Sequence, residues 1–261
     1  MLKNCKRIVI KIGTSTLTYP NGALNLKRIE NLSRVVSDFK NAGHEVVMVS
    51  SGAVGAGFAK LALKEYPDTL EKKQACAAVG QSQLMKIYEH FFANYGHTVA
   101  QILMTRDVVD DPVRLEHVRN TFEALIGFGC IPIVNENDSV SSEEICFGGN
   151  DTLSAYVGIA CRADFIMNLS DVDGLYNKDP RKYSDAKIID RVDEINDEIK
   201  SFAGGAGTNR GTGGMATKIR AAEIASDNGI PMLIINGENP NTLYDILEGK
   251  HVGTYFAARK A

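Results

Sequence analysis

RIVIKIGTS, residues 7–15, decides how this chain is read. Arg7–Ile12 is a β-branched run of strand length, and Gly13-Thr14-Ser15 ends it in a turn. Asn25 then caps a helix whose apolar stripe is Ile29, Leu32, Val35, Val36 and Phe39, closed by Gly43. A second strand, residues 45–49 (EVVMV), breaks at a Gly/Ser/Ala-rich turn over residues 50–57. Strand, small-residue turn and helix thus recur, which is the βα unit of an α/β fold with a mainly parallel sheet. Ligands of such sheets lie at the carboxyl ends of the strands. Lys11 sits within the apolar first strand. There it either finds an anionic partner, because an unpaired buried charge is expensive, or snorkels from an edge.

The remaining chain continues the pattern. Asp68-Thr69-Leu70-Glu71 has capping-box spacing and opens helical sequence reaching Tyr95, with Met85, Tyr88, Phe91 and Phe92 as core or subunit contacts. Residues 98–103 read as a third strand, residues 112–129 as a helix and residues 131–134 (IPIV) as a fourth strand. Polar residues Asn135-Glu136-Asn137-Asp138 follow, then Phe147-Gly148-Gly149-Asn150-Asp151-Thr152. A helix over residues 153–163 precedes a fifth strand, residues 165–169, which ends in Ser170-Asp171-Val172-Asp173-Gly174. Residues 230–235 form a late strand and residues 243–247 a short helix. With no internal repeat or charged linker, residues 1–261 read as one domain.

Between these last strands lies GGAGTNRGTGGMATK, residues 204–218. Met215, Ile219, Ala222 and Ile224 recur at helical spacing, and Asp227-Asn228-Gly229 supplies the stop. A glycine loop feeding a helix N-terminus offers free N–H groups and a favourable dipole to an anion. Lys218, one turn into that helix, can reach back toward it. The spacing matches neither the P-loop nor G-x-G-x-x-G, and a plain flexible linker is the alternative.

Composition narrows the field. The 44% hydrophobic and 23% charged content is that of a soluble globular protein, and 29 basic against 32 acidic residues leave −3. With no basic block and no Trp, nucleic acid is not an expected partner. Cys5, Cys76, Cys130, Cys146 and Cys161 show no C-x-x-C spacing, so neither a metal site nor a disulfide framework is expected. No signal peptide and no membrane-length apolar run is seen, which makes the expected location cytoplasmic.

In a parallel sheet, Lys11, Ser51, residues 135–138 and Ser170-Asp171 would share one edge with the glycine-rich stretch. Phosphoryl transfer asks for such a set of cations, dipoles and polar groups. Singly, each has a duller reading: Asn150 and Asp151 could cap their helix, and Ser170-Asp171 could be turn chemistry. The five histidines fall away from that edge, so no general base is evident. An acceptor that is already ionised, such as a carboxylate, would need none.

Six motifs carry a resemblance: IKIGTS at residues 10–15, VSSGAVGAG at 49–57, VNENDSV at 134–140, GGNDTLSA at 148–155, SDVDGLY at 170–176 and GTGGMATK at 211–218. In this order they resemble the amino-acid kinase family, in its glutamate-phosphorylating branch. The resemblance implies a three-layer αβα sandwich and transfer of the γ-phosphoryl group of ATP to the γ-carboxylate of L-glutamate. That is the first step of proline biosynthesis, typically feedback-inhibited by proline. It further implies that Lys11 and Lys218 flank the transferring group and that Asp151 orients them. Ser51, Asp138 and Asn150 would hold glutamate, with backbone from Gly52 and Ala53. Ser170, Asp171, Thr212, Gly213, Gly214, Met215, Ala216, Thr217 and Lys218 would line the nucleotide site. Mg²⁺ would accompany ATP rather than occupy a protein cage, and a homo-oligomer, dimer or tetramer, is expected.

The chain departs from the family in places. Many members read K-x-G-D-N-D where this one has Cys146-Phe147-Gly148-Gly149-Asn150-Asp151, so a lysine and an aspartate are replaced. Ser170 stands where threonine is commoner. Many members also carry an RNA-modification-type domain after the kinase domain, which is not expected here. Rival readings are kinases of the same fold acting on acetylglutamate, aspartate, carbamate or a nucleoside monophosphate. A non-catalytic sensor and a dinucleotide-dependent reductase stand further off, against the paired lysines and the missing G-x-G-x-x-G.

Overall fold

The computed structural model describes residues 2, 5–19, 22–141, 147–203 and 214–259. Its elements in chain order begin with β1 (Arg7–Ile12), α1 (Thr14–Leu17), α2 (Leu26–Asn41), β2 (Glu45–Ser50), α3 (Ala53–Lys60) and α4 (Leu70–Ala93). There follow β3 (Val99–Met104), α5 (Asp107–Asp110), α6 (Pro112–Gly127), β4 (Ile131–Glu136), α7 (Asn150–Ala160) and β5 (Phe165–Ser170). Last come β6 (Arg191–Val192), α8 (Asp197–Ser201), α9 (Met215–Asp227), β7 (Met232–Asn236), α10 (Thr242–Leu247) and β8 (Thr254–Phe256).

The strands form one sheet in the order β3-β4-β2-β1-β5-β7-β8-β6. From β3 to β7 every pairing is parallel, while β8 runs antiparallel to β7 and pairs in parallel with β6. Alternation along the strands sorts the core into two layers. Val9, Val47, Val49, Val134, Ile166 and Ile234 pack with Phe122 of α6, Leu153 and Val157 of α7, and Ile219 and Ala222 of α9. Ile8, Ile10, Met48, Ile133, Met167 and Leu233 pack on the opposite face with α2, Leu84, Tyr88 and Phe92 of α4, and Ile246 of α10. The result is the expected αβα sandwich. Its central strands are apolar on both faces, as a parallel sheet covered by helices requires.

The expected α2 is present as read: Asn25 accepts from the Arg28 amide, and all five stripe residues are buried. Other boundaries need correction. The cap of α4 is Thr69, not Asp68; its hydroxyl accepts from Lys72 N, and Asp68 instead pairs with Lys72 Nζ at 2.8 Å. Helix α7 begins at Asn150, three residues earlier than expected, so Asn150 and Asp151 belong to its first turn. β4 extends through Glu136, which puts Asn135 in the sheet.

The largest departure is α3, a helix where a turn was expected. Its glycines serve close packing. A Cβ on Gly57 would lie 1.8 Å from Cys76 O, and one on Gly80 of α4 would lie 1.8 Å from Ala53 O. Helices α3 and α4 touch backbone to backbone, and sequence spacing alone does not reveal such a crossing.

Candidate active site

Strands β1, β2, β3, β4, β5 and β7 all end at the same sheet edge. The crevice there opens between β1 and β5, where successive strands change from building leftward to building rightward. Lys11 of β1 lies in register with Asn168 of β5. By strand alternation both side chains share the face of Val9 and Ile166, under α7 and α9. Helix α7 brings Asp151 onto this pair from its first turn, and α9 brings Lys218.

Asp151 is the centre of the cluster. Its Oδ1 lies 2.5 Å from Lys11 Nζ, and its Oδ2 lies 3.1 Å from Lys218 Nζ. Asn168 Nδ2 donates to Oδ1 at 3.0 Å and Thr217 Oγ1 to Oδ2 at 2.7 Å. Lys11 also reaches Asn168 Oδ1 at 3.4 Å. The two lysines are each 5% exposed and Asp151 2%. Burial would push the Asp151 carboxyl up, but the two ammonium groups overcome it and hold it far below the usual carboxylate range. Burial lowers the Lys11 ammonium from its usual value despite the pull of Asp151, and the charge of Lys218 adds to the lowering. Both ammonium groups face the one carboxylate, and the Asp171 charge also acts on Lys11; buried cations so placed favour an anionic ligand between them. The N-termini of α7 and α9 converge on the same point and favour the same sign of ligand.

On one side of this cluster lies a polar patch. Asn150 Nδ2 sits 2.9 Å from Ser50 O, 2.9 Å from Ser51 Oγ and 3.0 Å from Asn135 Oδ1. Beneath it, Ser50 Oγ meets the buried Tyr88 hydroxyl at 2.9 Å. Gly52 adopts φ +98° as the N-cap of α3, the left-handed conformation that favours glycine, and Ala53 starts the helix. Half-buried Asp138 follows β4; burial, then the nearby Glu136 charge, raises its carboxyl to about 6. Glu136 Oε1 accepts from Ser141 Oγ at 2.8 Å and from Phe147 N at 3.1 Å.

On the other side is a cleft of about 700 Å³, a size suited to a nucleotide. Ser170, Asp171, Gly214, Met215 and Lys218 line it, together with residues 172–183. Ser170 Oγ donates to Asp171 Oδ1 at 3.1 Å. Ala216 is exposed and Thr217 is turned to Asp151, so neither lines the cleft. Thr212 and Gly213, like Cys146 and residues 204–211, lie outside the described residues. Gly149, at the other family departure, is the N-cap of α7 with φ +116°, a conformation that an aspartate would strain to adopt.

Lys11, Lys218 and Asp151 are thus brought together, as are Ser51 and Asn150. Sequence reasoning missed Asn168 and Gln81, which accepts from Asn135 Nδ2 at 2.9 Å. Asn168 carried a readable signal, an amide inside the apolar run FIMNL, which needs a partner once buried.

Comparison with known proteins agrees with this geometry. The profile of the Amino acid kinase family matches residues 6–236. The chain is 56% identical to a glutamate 5-kinase of Clostridium perfringens, covering 99% of this chain and 98% of that protein. It is 54% identical to a glutamate 5-kinase of Clostridium acetobutylicum, covering 98% and 96% respectively. The fold is shared with a carbamate kinase from Giardia lamblia bound to AMP-PNP. That match has a TM-score of 0.68 at 17% identity and covers 98% of this chain and 99% of the other. The chain belongs to the amino acid kinase family, and within that family it stands with the glutamate 5-kinases.

Proposed function

We propose that this chain transfers the γ-phosphoryl group of ATP to the γ-carboxylate of L-glutamate, giving L-glutamyl 5-phosphate, the first step of proline biosynthesis. The observation that carries the reading is the Lys11–Asp151–Lys218 cluster, which joins residues from β1, α7 and α9 at one sheet edge. A γ-carboxylate oxygen of glutamate attacks the terminal phosphorus, the bond to the bridging oxygen breaks, and ADP leaves. The attacking oxygen is already anionic, so no base is required. What the reaction asks of the protein is position and positive charge where the equatorial oxygens gather negative charge. Lys11 and Lys218 supply that charge, and Asp151 keeps their ammonium groups facing one another's work.

Ser51, Asp138 and Asn150 hold glutamate, with the backbone of Gly52 and Ala53. Ser170, Asp171, Gly214, Met215 and Lys218 receive the nucleotide. Mg²⁺ entering with ATP would add positive charge to the transferring group. Among the described residues no three His, Cys, Asp or Glu side chains gather as a cage, and both oxygens of Asp151 are engaged. The family resemblance supports a cytoplasmic homo-oligomer, dimer or tetramer, with proline as feedback inhibitor; among the described residues no helix is long and apolar enough to cross a membrane.

The test is to incubate the purified protein with ATP, Mg²⁺, L-glutamate and hydroxylamine. γ-Glutamyl hydroxamate should form in step with ADP. ADP release with aspartate, carbamate or a nucleoside monophosphate, but none with glutamate, would overturn the reading.

A further inference from the structure

A row of four carboxamides runs from the outside of the molecule to the acceptor side of the site. Gln81 Nε2 of α4 donates to Gln101 Oε1 of β3 at 3.1 Å, Asn135 Nδ2 donates to Gln81 Oε1 at 2.9 Å, and Asn150 Nδ2 donates to Asn135 Oδ1 at 3.0 Å. Two backbone groups set the direction of this row. The Glu136 N–H can only donate, and it reaches Asn135 Oδ1 at 2.9 Å; Ser50 O can only accept, and it meets Asn150 Nδ2 at 2.9 Å. Asn135 is 3% exposed, so its amide nitrogen depends on Gln81 for an acceptor. The amide nitrogen of Asn150 is committed to Asn135, Ser50 and Ser51. Its Oδ1 accepts no hydrogen bond from the described residues and is left as an acceptor at the acceptor-side patch.

We infer that Gln81 is a positioning residue that, through Asn135, holds the carbonyl oxygen of Asn150 toward the α-ammonium group of the substrate, and so sets the preference for an amino acid over a plain dicarboxylate. The inference rests on the reading of this site as that of a glutamate kinase. An ammonium donor is what a lone carbonyl acceptor recognises; a carboxylate it would repel. Gln81 touches no reacting atom. Its effect travels through two hydrogen bonds.

The experiment compares wild type, Gln81→Met and Gln81→Glu. It measures KM for L-glutamate, KM for ATP and the inhibition constant of glutarate, which lacks the α-ammonium group. Met keeps the length and removes the acceptor; Glu keeps an acceptor for Asn135. For Gln81→Met the glutamate KM should rise about tenfold, as loss of a charged hydrogen bond implies, with the glutarate constant and the ATP KM unmoved. Gln81→Glu should return the glutamate KM to within about twofold of wild type. A glutamate KM unchanged in the Met variant, a parallel rise for glutarate and ATP, or failure of Glu to restore it would overturn the inference. Absence of γ-glutamyl hydroxamate from the wild type would instead overturn the function on which it rests.

Discussion

At the scale of the residue, the buried charges at the sheet edge decide what the site does. In the proposed transfer Lys218 stabilises negative charge that grows on the passing phosphoryl group, so Lys218→Ala should lower kcat by about 10²–10³-fold while the glutamate KM stays near wild type. Steady-state kinetics on the folded variant decide this, and equal turnover would remove Lys218 from the chemistry. Asp138 gives a pH signature. Burial, with Glu136 beside it, raises its carboxyl to about 6, whereas an unfolded aspartate ionises near 3.8. A raised acid favours the folded state below its unfolded pKa, and that advantage is lost as pH climbs from about 4 through 6. At neutral pH the ionised group therefore costs stability, of order 1–3 kcal/mol. Asp138→Asn should melt higher at pH 7.5 and bind glutamate more weakly. In the wild type the glutamate KM should rise as pH falls below about 6, and a flat profile there would detach Asp138 from the ammonium group. The lysine cluster was partly legible beforehand, because a lysine in the run RIVIKI needs an anion if it is buried rather than at an edge. Asn168, an amide in the run FIMNL, needs a hydrogen-bond partner once buried. The carboxamide row was not legible, since Gln81 and Asn135 are 54 residues apart and only the fold makes them neighbours.

At the scale of the element, the turn at Ser51 and Gly52 is shaped by how α3 lies on α4. The backbones meet at Gly57 and Gly80, and a methyl group at either would fall 1.8 Å from a carbonyl oxygen. No side-chain rotation relieves a clash with backbone. Gly80→Ala should cost about 3 kcal/mol or more in chemical denaturation, because overpacking at a rigid contact forces the helices apart. The clash falls on Ala53 O, at the start of α3 beside Ser51 and Gly52, so the glutamate KM should rise with the loss of stability. A stable Gly80→Ala variant with wild-type kinetics would contradict the crossing. Sequence periodicity found the long elements, α2 and α9 above all, because their apolar stripes are regular. It read α3 as a turn because helix propensity disfavours glycine, whereas here glycine is required for close approach. The strands β6 and β8, of two and three residues, are too short for any alternating pattern to show.

At the scale of the whole molecule, the sheet places distant residues together. Lys11 and Lys218 are 207 positions apart in the chain, yet both ammonium groups lie on the Asp151 carboxylate. Parallel topology sends β1, β2, β4 and β5 to one edge, and the N-termini of α7 and α9 are delivered there too. The fold class and the shared edge follow from the repeated strand–turn–helix pattern. The reversed strands at one end of the sheet do not, since their pairing is decided by tertiary packing. The most direct test is a crystal structure of the protein with ADP, Mg²⁺, L-glutamate and aluminium fluoride as a mimic of the phosphoryl group in transit. Both Nζ atoms, of Lys11 and of Lys218, should lie about 2.7–3.2 Å from fluorines of one and the same mimic. A mimic seated away from either ammonium group would contradict the account.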